Sequence, residues 1–216
     1  MARFTELDSA SGTDDWIDRV CEGMADGALV AHPTTSVYGL GAADHELDPV
    51  VAQLKGRDPT VPILRLVSDP ARLLRLFPDI VWPEVATVLA DAFWPGPLTL
   101  VLDDGSPAGL AVRAESLPAT RAILSRWDGT LGSTSLNPAG RPPARTRDAA
   151  RTVLGAMTDP GRPVLLVAAA DLEGPPPSTL LSLRRGECRL LREGATERSK
   201  LERVLGRRLD LQGGSG

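Results

Sequence analysis

Short apolar runs recur along this chain, separated by segments whose apolar residues repeat every three or four positions. Residues 28–32, 63–67, 98–102, 131–134 and 164–168 form the clearest runs, each four or five residues long. Runs that short, next to turn-forming residues, read as buried strands. Residues 110–113, 180–183 and 189–191 read the same way. Helical spacing appears at Trp16, Ile17, Val20, Cys21 and Met24, with Gly27 past the end, and again at Leu47, Val50, Val51 and Leu54. Asp48-Pro49 predicts an N-cap followed by proline at the first helical position. Further helices are predicted over 69–76, 83–93 (Val85, Val88, Leu89 and Ala92 inward), 118–127, 146–157 and 196–209, the last with Leu201, Val204 and Leu205 inward. PTTSVYGLG at 33–41 reads as a loop. This alternation of the two periods predicts one α/β domain with a mixed, twisted open sheet and flanking helices.

No internal repeat and no composition break divides the 216 residues. Residues 1–13 read as an N-terminal extension, 14–195 as the domain, and 196–216 as a closing helix with GGSG as a flexible tail. The net charge of −4 argues against non-specific nucleic-acid binding, although a local basic patch stays open. No apolar run approaches the length of a membrane span, and the N-terminus has no apolar core of a signal peptide. Cys21 and Cys188 have no metal-ligand spacing and read as free thiols of a cytoplasmic protein, with a disulfide between them as the alternative.

Several common sites are excluded. Gly39-Leu-Gly41 lacks the third glycine of a dinucleotide loop, with Asp44 in its place, and no GxxxxGK[ST] occurs. His32 and His45 have no Cys, Asp or Glu at ligand spacing, so no protein-built metal site is expected. No GxSxG is present, and the sequence shows no base for Ser135.

Two polar groupings remain. Lys55 and Arg57 follow a predicted helix, at an end expected to be exposed. They either complement the helix dipole or converge on phosphate or carboxylate oxygens. Ser135 and Asn137 end a strand before Pro138, and form either a polar turn or the mouth of a ligand site. Thr34, Thr35 and Ser36 sit at another strand end, where they cap the next element or line a pocket.

In order, PTTSVYGLG (33–41), KGR (55–57), WPGPLT (94–99), AVR (111–113), STSLNPAG (133–140), ST (178–179) and LREG (191–194) resemble the motifs of the YrdC family of L-threonylcarbamoyladenylate synthases. The resemblance covers roughly residues 14–195. It implies the family's open sheet with a concave site, and the conversion of L-threonine, bicarbonate and ATP into threonylcarbamoyl-AMP and pyrophosphate. That product serves modification of tRNA, so tRNA or tRNA-modification proteins join the expected partners. By the same resemblance Lys55 and Arg57 hold phosphates and the carboxylated amine. Ser135 and Asn137 orient the adenylate and carbamate, and Thr34 and Thr35 face threonine. Tyr38, Arg113, Ser133, Ser178 and Arg192 complete the expected binding set, and Mg2+ arrives bound to ATP.

The chain departs from the family where Thr35 replaces a glutamate, Leu136 an alanine and Ser182 an aspartate. Thr35 removes a carboxylate available to a substrate ammonium, and Leu136 is expected to narrow the same region. Two other readings stay open: a YciO-like paralogue with a related activity, and a non-catalytic RNA-binding module.

Overall fold

The computed structural model describes residues 4–43, 45–56, 58, 61–138, 140–157, 161–172, 174 and 176–211. Arg57, Ala139 and the GGSG segment lie outside the described residues. The elements follow in the order β1 (Thr5–Asp8), α1 (Asp15–Ala25), β2 (Leu29–Pro33), β3 (Tyr38–Gly41), α2 (Asp48–Leu54), β4 (Leu64–Val67), α3 (Pro70–Leu76), α4 (Glu84–Phe93), β5 (Leu98–Leu102), β6 (Leu110–Ala114), α5 (Pro118–Arg126), β7 (Leu131–Ser135), α6 (Arg147–Ala156), β8 (Val164–Ala168), β9 (Thr179–Ser182), β10 (Arg189–Arg192), α7 (Arg198–Leu205) and β11 (Asp210–Leu211). The strands form one mixed sheet in the order β1-β8-β2-β3-β7-β4-β6-β5-β9-β10-β11. β8 runs parallel to β1 and β2, whereas β3 runs antiparallel to β2 and to β7.

Alternation along the central strands separates two cores. In β2 and β8, Leu29, Ala31, Val164 and Leu166 pack with Val51 of α2 and with Ala150 and Leu154 of α6. Val30, Leu165 and Val167 face the other way, onto Trp16 and Val20 of α1 and Ile123 of α5. Both strands are buried along their whole length, as period-two side chains between two helical layers require. In the other half, Leu98, Leu100, Leu102, Val112 and Leu181 pack on α3, α4 and α7 through Leu73, Leu89 and Leu201. β4 ties the halves together: Leu66 joins the α1/α5 core, and Val67 the α3/α4/α7 core. Among the described residues, five helices therefore cover one face of the sheet, and α1 and α5 cover only part of the other.

Several sequence expectations change. PTTSVYGLG is not all loop, because Tyr38–Gly41 pairs on both sides as β3. Gly41 permits this: a Cβ there would lie 1.8 Å from the Gly132 carbonyl oxygen on β7. Thr5–Asp8, within the segment read as an extension, is the edge strand beside β8. Asp48 does not cap α2. A 3-10 turn at His45–Leu47 leads into the helix, and the Asp48 carboxylate pairs instead with buried Arg65 of β4. On α4, Ala86, Leu89 and Ala90 are buried while Val88 is exposed. The stripes 85/88/89/92 and 86/89/90 both satisfy helical spacing, and packing on β5 selects the second. On α7, Leu201 is buried but Val204 is exposed.

Asp69 does cap α3, accepting the Arg72 N–H at 2.8 Å. Hydrogen bonds from the Ser68 hydroxyl and then from Arg72 hold its carboxyl below the usual range. Its contribution is therefore complete above the unfolded carboxyl value of about 4 and is lost as pH falls through the lower folded value. Asp69→Ala is expected to cost about 1 kcal/mol near pH 7. Urea titrations of both proteins should converge as the pH falls well below 4.

Candidate functional site

On the face that α1 and α5 leave partly open, a cavity of about 410 Å³ lies across β3, β7, β6 and β5. Alternation again selects its lining. Leu98 and Leu100 go to the core, so Thr99 faces the cavity, and Val112 goes to the core, so Ala111 and Arg113 face it. Leu180 faces the cavity opposite buried Leu181. Arg192 reaches it through an irregularity: β10 uses two steps, from Leu190 to Arg192, against one step of β9, from Leu181 to Leu180. A regular strand would send Leu190 and Arg192 to the same face; the extra residue turns Arg192 round to the cavity.

Six expected residues line this space: Thr34, Arg113, Ser133, Ser135, Ser178 and Arg192. Lys55 and Asn137 join it through Ser135. Lys55 is not exposed at its helix end but 8% accessible. Its ammonium donates to the Ser135 carbonyl, to Ser135 Oγ at 3.2 Å, to Asn137 Oδ1 at 3.0 Å and to Thr134 Oγ1 at 3.3 Å. Ser135 Oγ also donates to Asn137 Oδ1 at 2.7 Å, and Asn137 Nδ2 is held by the Pro138 and Arg141 carbonyls. Lysine, serine and asparagine thus form one rigid cluster joining the end of α2 to the end of β7.

Ser178 Oγ is 2.9 Å from Thr99 Oγ1, and its carbonyl accepts from Arg192 Nη2 at 2.8 Å. Arg113 is almost fully buried. Burial pushes its pKa down, and the neighbouring Glu115 carboxylate, 2.5 Å from Nη2, acts in the opposite sense. Its Nε is buried and has no hydrogen-bond partner among the described residues.

The structure does not bring Thr35, Tyr38 or Leu136 to the cavity. Tyr38 is wholly buried, with its hydroxyl on the backbone of Ala169 at 3.3 and 3.1 Å. Leu136 packs against Tyr38, Ala144 and Ile63 in the α2/α6 core, so it narrows nothing in the site. Thr35 turns its backbone to Gly174 and its N–H to Glu115 Oε1 at 3.4 Å.

Sequence reading missed Glu115 and His32. Glu115 is buried, pairs with Arg113 and accepts the N–H groups of Ser116 and Leu117 at 2.8 and 3.2 Å. Its signal was available: Arg113 and Glu115 stand two apart in an apolar strand, hence on one face. His32 is buried on β2 with Nε2 3.1 Å from Ser133 Oγ. Its partner is 101 residues away, so no local pattern marks it.

Among the described residues no three His, Cys, Asp or Glu side chains gather as a metal site, and no described lining residue of the cavity is acidic. A hard cation here would find only hydroxyl and ligand oxygens, which suits Mg2+ carried by phosphates. A wider cleft of about 810 Å³ lies at Arg147 and Arg151, whose charges are already paired with Glu6, Asp8 and Asp148.

The open mixed sheet thus carries cations and hydroxyls together on its less covered face. The chain belongs to the Sua5/YciO/YrdC family, whose profile, described as telomere recombination, matches residues 22–194. It is 36% identical over 156 residues to the threonylcarbamoyl-AMP synthase of Xanthomonas euvesicatoria, an alignment covering 66% of this chain and 82% of the relative. Its fold matches Sua5 of Pyrococcus abyssi complexed with L-threonine, with a TM-score of 0.79 and 24% identity, over 96% of this chain and 62% of that one. It also matches E. coli YciO, with a TM-score of 0.75 and 18% identity, over 93% of this chain and all of that one. The chain thus spans about three-fifths of the Pyrococcus protein.

Two substitutions test the corrected placements. Leu136→Ala should cost about 2–5 kcal/mol in chemical unfolding while leaving amino-acid preference unchanged. Thr35→Glu should lower the melting temperature, because it adds a carboxylate beside buried Glu115, and should not improve threonine use in steady-state kinetics.

Proposed function

We infer that this chain is a threonylcarbamoyl-AMP synthase. It condenses L-threonine, bicarbonate or carbon dioxide, and ATP, and releases pyrophosphate. The observation that carries the reading is the Lys55–Ser135–Asn137 cluster, opening on a cavity that also holds Arg113, Arg192 and Ser178. The names of the curated relatives support the same reading.

The chemistry asks for no protein nucleophile. The neutral threonine amine attacks carbon dioxide and gives up one N–H proton to water, leaving a carbamate; a carbamate oxygen then attacks the α-phosphorus as pyrophosphate departs. The protein supplies position and charge. Lys55, pre-oriented by four oxygens, faces the developing negative charge, and Arg57, two residues on, is assigned to the phosphates. Arg113, on the cavity wall, takes a substrate carboxylate or phosphate oxygen. Ser135 and Asn137 orient the carbamate, and Ser178 and Arg192 the nucleotide side. Mg2+ bound to ATP would supply further charge neutralisation of the phosphates. The labile carbamate gains from a site recessed between strands. The adenylate is then consumed by transfer to a tRNA adenosine in the cytoplasm, with tRNA or its modification proteins as partners.

Incubation with ATP, bicarbonate and L-threonine should yield pyrophosphate and threonylcarbamoyl-AMP in equal amounts, read by phosphate release and mass spectrometry. Lys55→Met should reduce turnover about 100-fold or more, the scale of losing one preorganised charge donor. Both Lys55→Met and Lys55→Ala should also lose about 1–3 kcal/mol of stability, because the buried acceptors are left unpaired in either. ATP binding by the wild type without any adenylate would overturn the assignment.

A further inference from the structure

We propose that His32 holds the hydroxyl proton of Ser133, so that Ser133 Oγ faces the cavity purely as a hydrogen-bond acceptor and selects the amino group of the substrate. This rests on the reading of the site as one for an amino acid. His32 acts through Ser133 and is a positioning residue.

The proton inventory leads to this assignment. His32 Nδ1 lies 3.2 Å from the Val30 carbonyl oxygen, which can only accept, so Nδ1 carries the hydrogen. The ring is wholly buried, and burial lowers its pKa to about 4, which keeps it neutral near pH 7. Nε2 is then a bare lone pair, and Ser133 Oγ, 3.1 Å away, must donate to it. A serine hydroxyl has one proton, so what remains for the cavity is lone pairs. Gly39 makes the pair possible: a Cβ there would lie 2.6 Å from Ser133 Oγ and 2.7 Å from His32 Nε2.

Neighbouring hydroxyls follow the same rule. Thr34 donates to the Val37 carbonyl at 2.7 Å, Ser36 to the Pro176 carbonyl at 3.0 Å, and Ser135 to Asn137 Oδ1 at 2.7 Å. All three line the cavity with Ser133. Each proton points into the protein, so none of these three hydroxyls donates into the cavity. Arg113 and Arg192 line the other side as donors. A ligand carrying both a carboxylate and an amine fits this division, with the carboxylate toward Arg113 and the amine toward Ser133. The contact outlasts carboxylation, because a carbamate keeps one N–H.

The full chain, labelled with 15N-histidine, tests the first half directly. It contains only His32 and His45, so two sets of ring signals are expected. His32 should show the neutral form with Nδ1 protonated and Nε2 bare between about pH 5.5 and 8. The second half is read by calorimetry with L-threonine and with 3-hydroxybutyrate, which lacks only the amine. The wild type should prefer threonine by about tenfold or more, one good hydrogen bond. His32→Phe frees Ser133 to turn its proton outward and should erase most of that preference, weakening threonine far more than 3-hydroxybutyrate. His32→Gln, whose amide oxygen can accept from Ser133, should restore it. A merely structural role would lower binding of both ligands alike. An Nε2-protonated ring, or an unchanged preference in both variants, overturns the proposal. If His32→Phe does not fold, the wild-type tautomer and His32→Gln still decide it. Absence of any L-threonine binding by the wild type would sink the functional reading instead, while the tautomer, read without ligand, would still judge the His32–Ser133 assignment.

Discussion

A buried ammonium organises this protein. Lys55 stands where α2 ends, almost out of reach of solvent, with oxygens of Thr134, Ser135 and Asn137 around it. An ammonium in such a place is tolerable only if its donors are met. Meeting them fixes the distance between α2 and the end of β7, and with it one wall of the cavity. The same contacts give the cluster its chemical value: a charge already oriented loses little freedom when a phosphate or carbamate arrives. Stability and readiness for an anion come from the same bonds.

The opposite wall depends on a second buried pair. Arg113 and Glu115 sit two residues apart on β6 and its extension, and Glu115 also gathers the N–H groups of Thr35, Ser116 and Leu117. It thereby ties the 34–37 turn, the start of α5 and the cavity arginine to one point. Position 35 itself carries no carboxylate, yet one stands in this neighbourhood, supplied by Glu115 just past the end of β6. It is occupied by its own chain, so it organises the site without facing the substrate. The sheet allows this because α1 and α5 cover only part of that face.

Much of the scaffold was legible in the order of residues. Buried strands such as Val164–Ala168 and Leu98–Leu102 announce themselves because both faces are covered and every position is apolar. α1 and α6 show a single clean stripe, and α6 has Thr146 as its cap. α4 was misjudged because two stripes share Leu89, and only the partner sheet chooses between them. β1 and β3 were missed because each is short. β3 is also half glycine, with nothing to mark it but the neighbours it pairs with.

For the site, the ordered motifs named the residue types, and six of them do meet in one cavity. Sequence alone determined which chemistry is present: one lysine cation, three arginines, several small hydroxyls and no metal-ligand spacing. Tertiary structure decided which of these face the ligand. An irregular step in β10 turned Arg192 inward, strand alternation sent Tyr38 and Leu136 into the core, and antiparallel pairing set His32 beside Ser133. The reason is physical: composition and local period depend on neighbours in the chain. The direction of a side chain, and the side on which a hydroxyl keeps its proton, depend on partners about a hundred residues away.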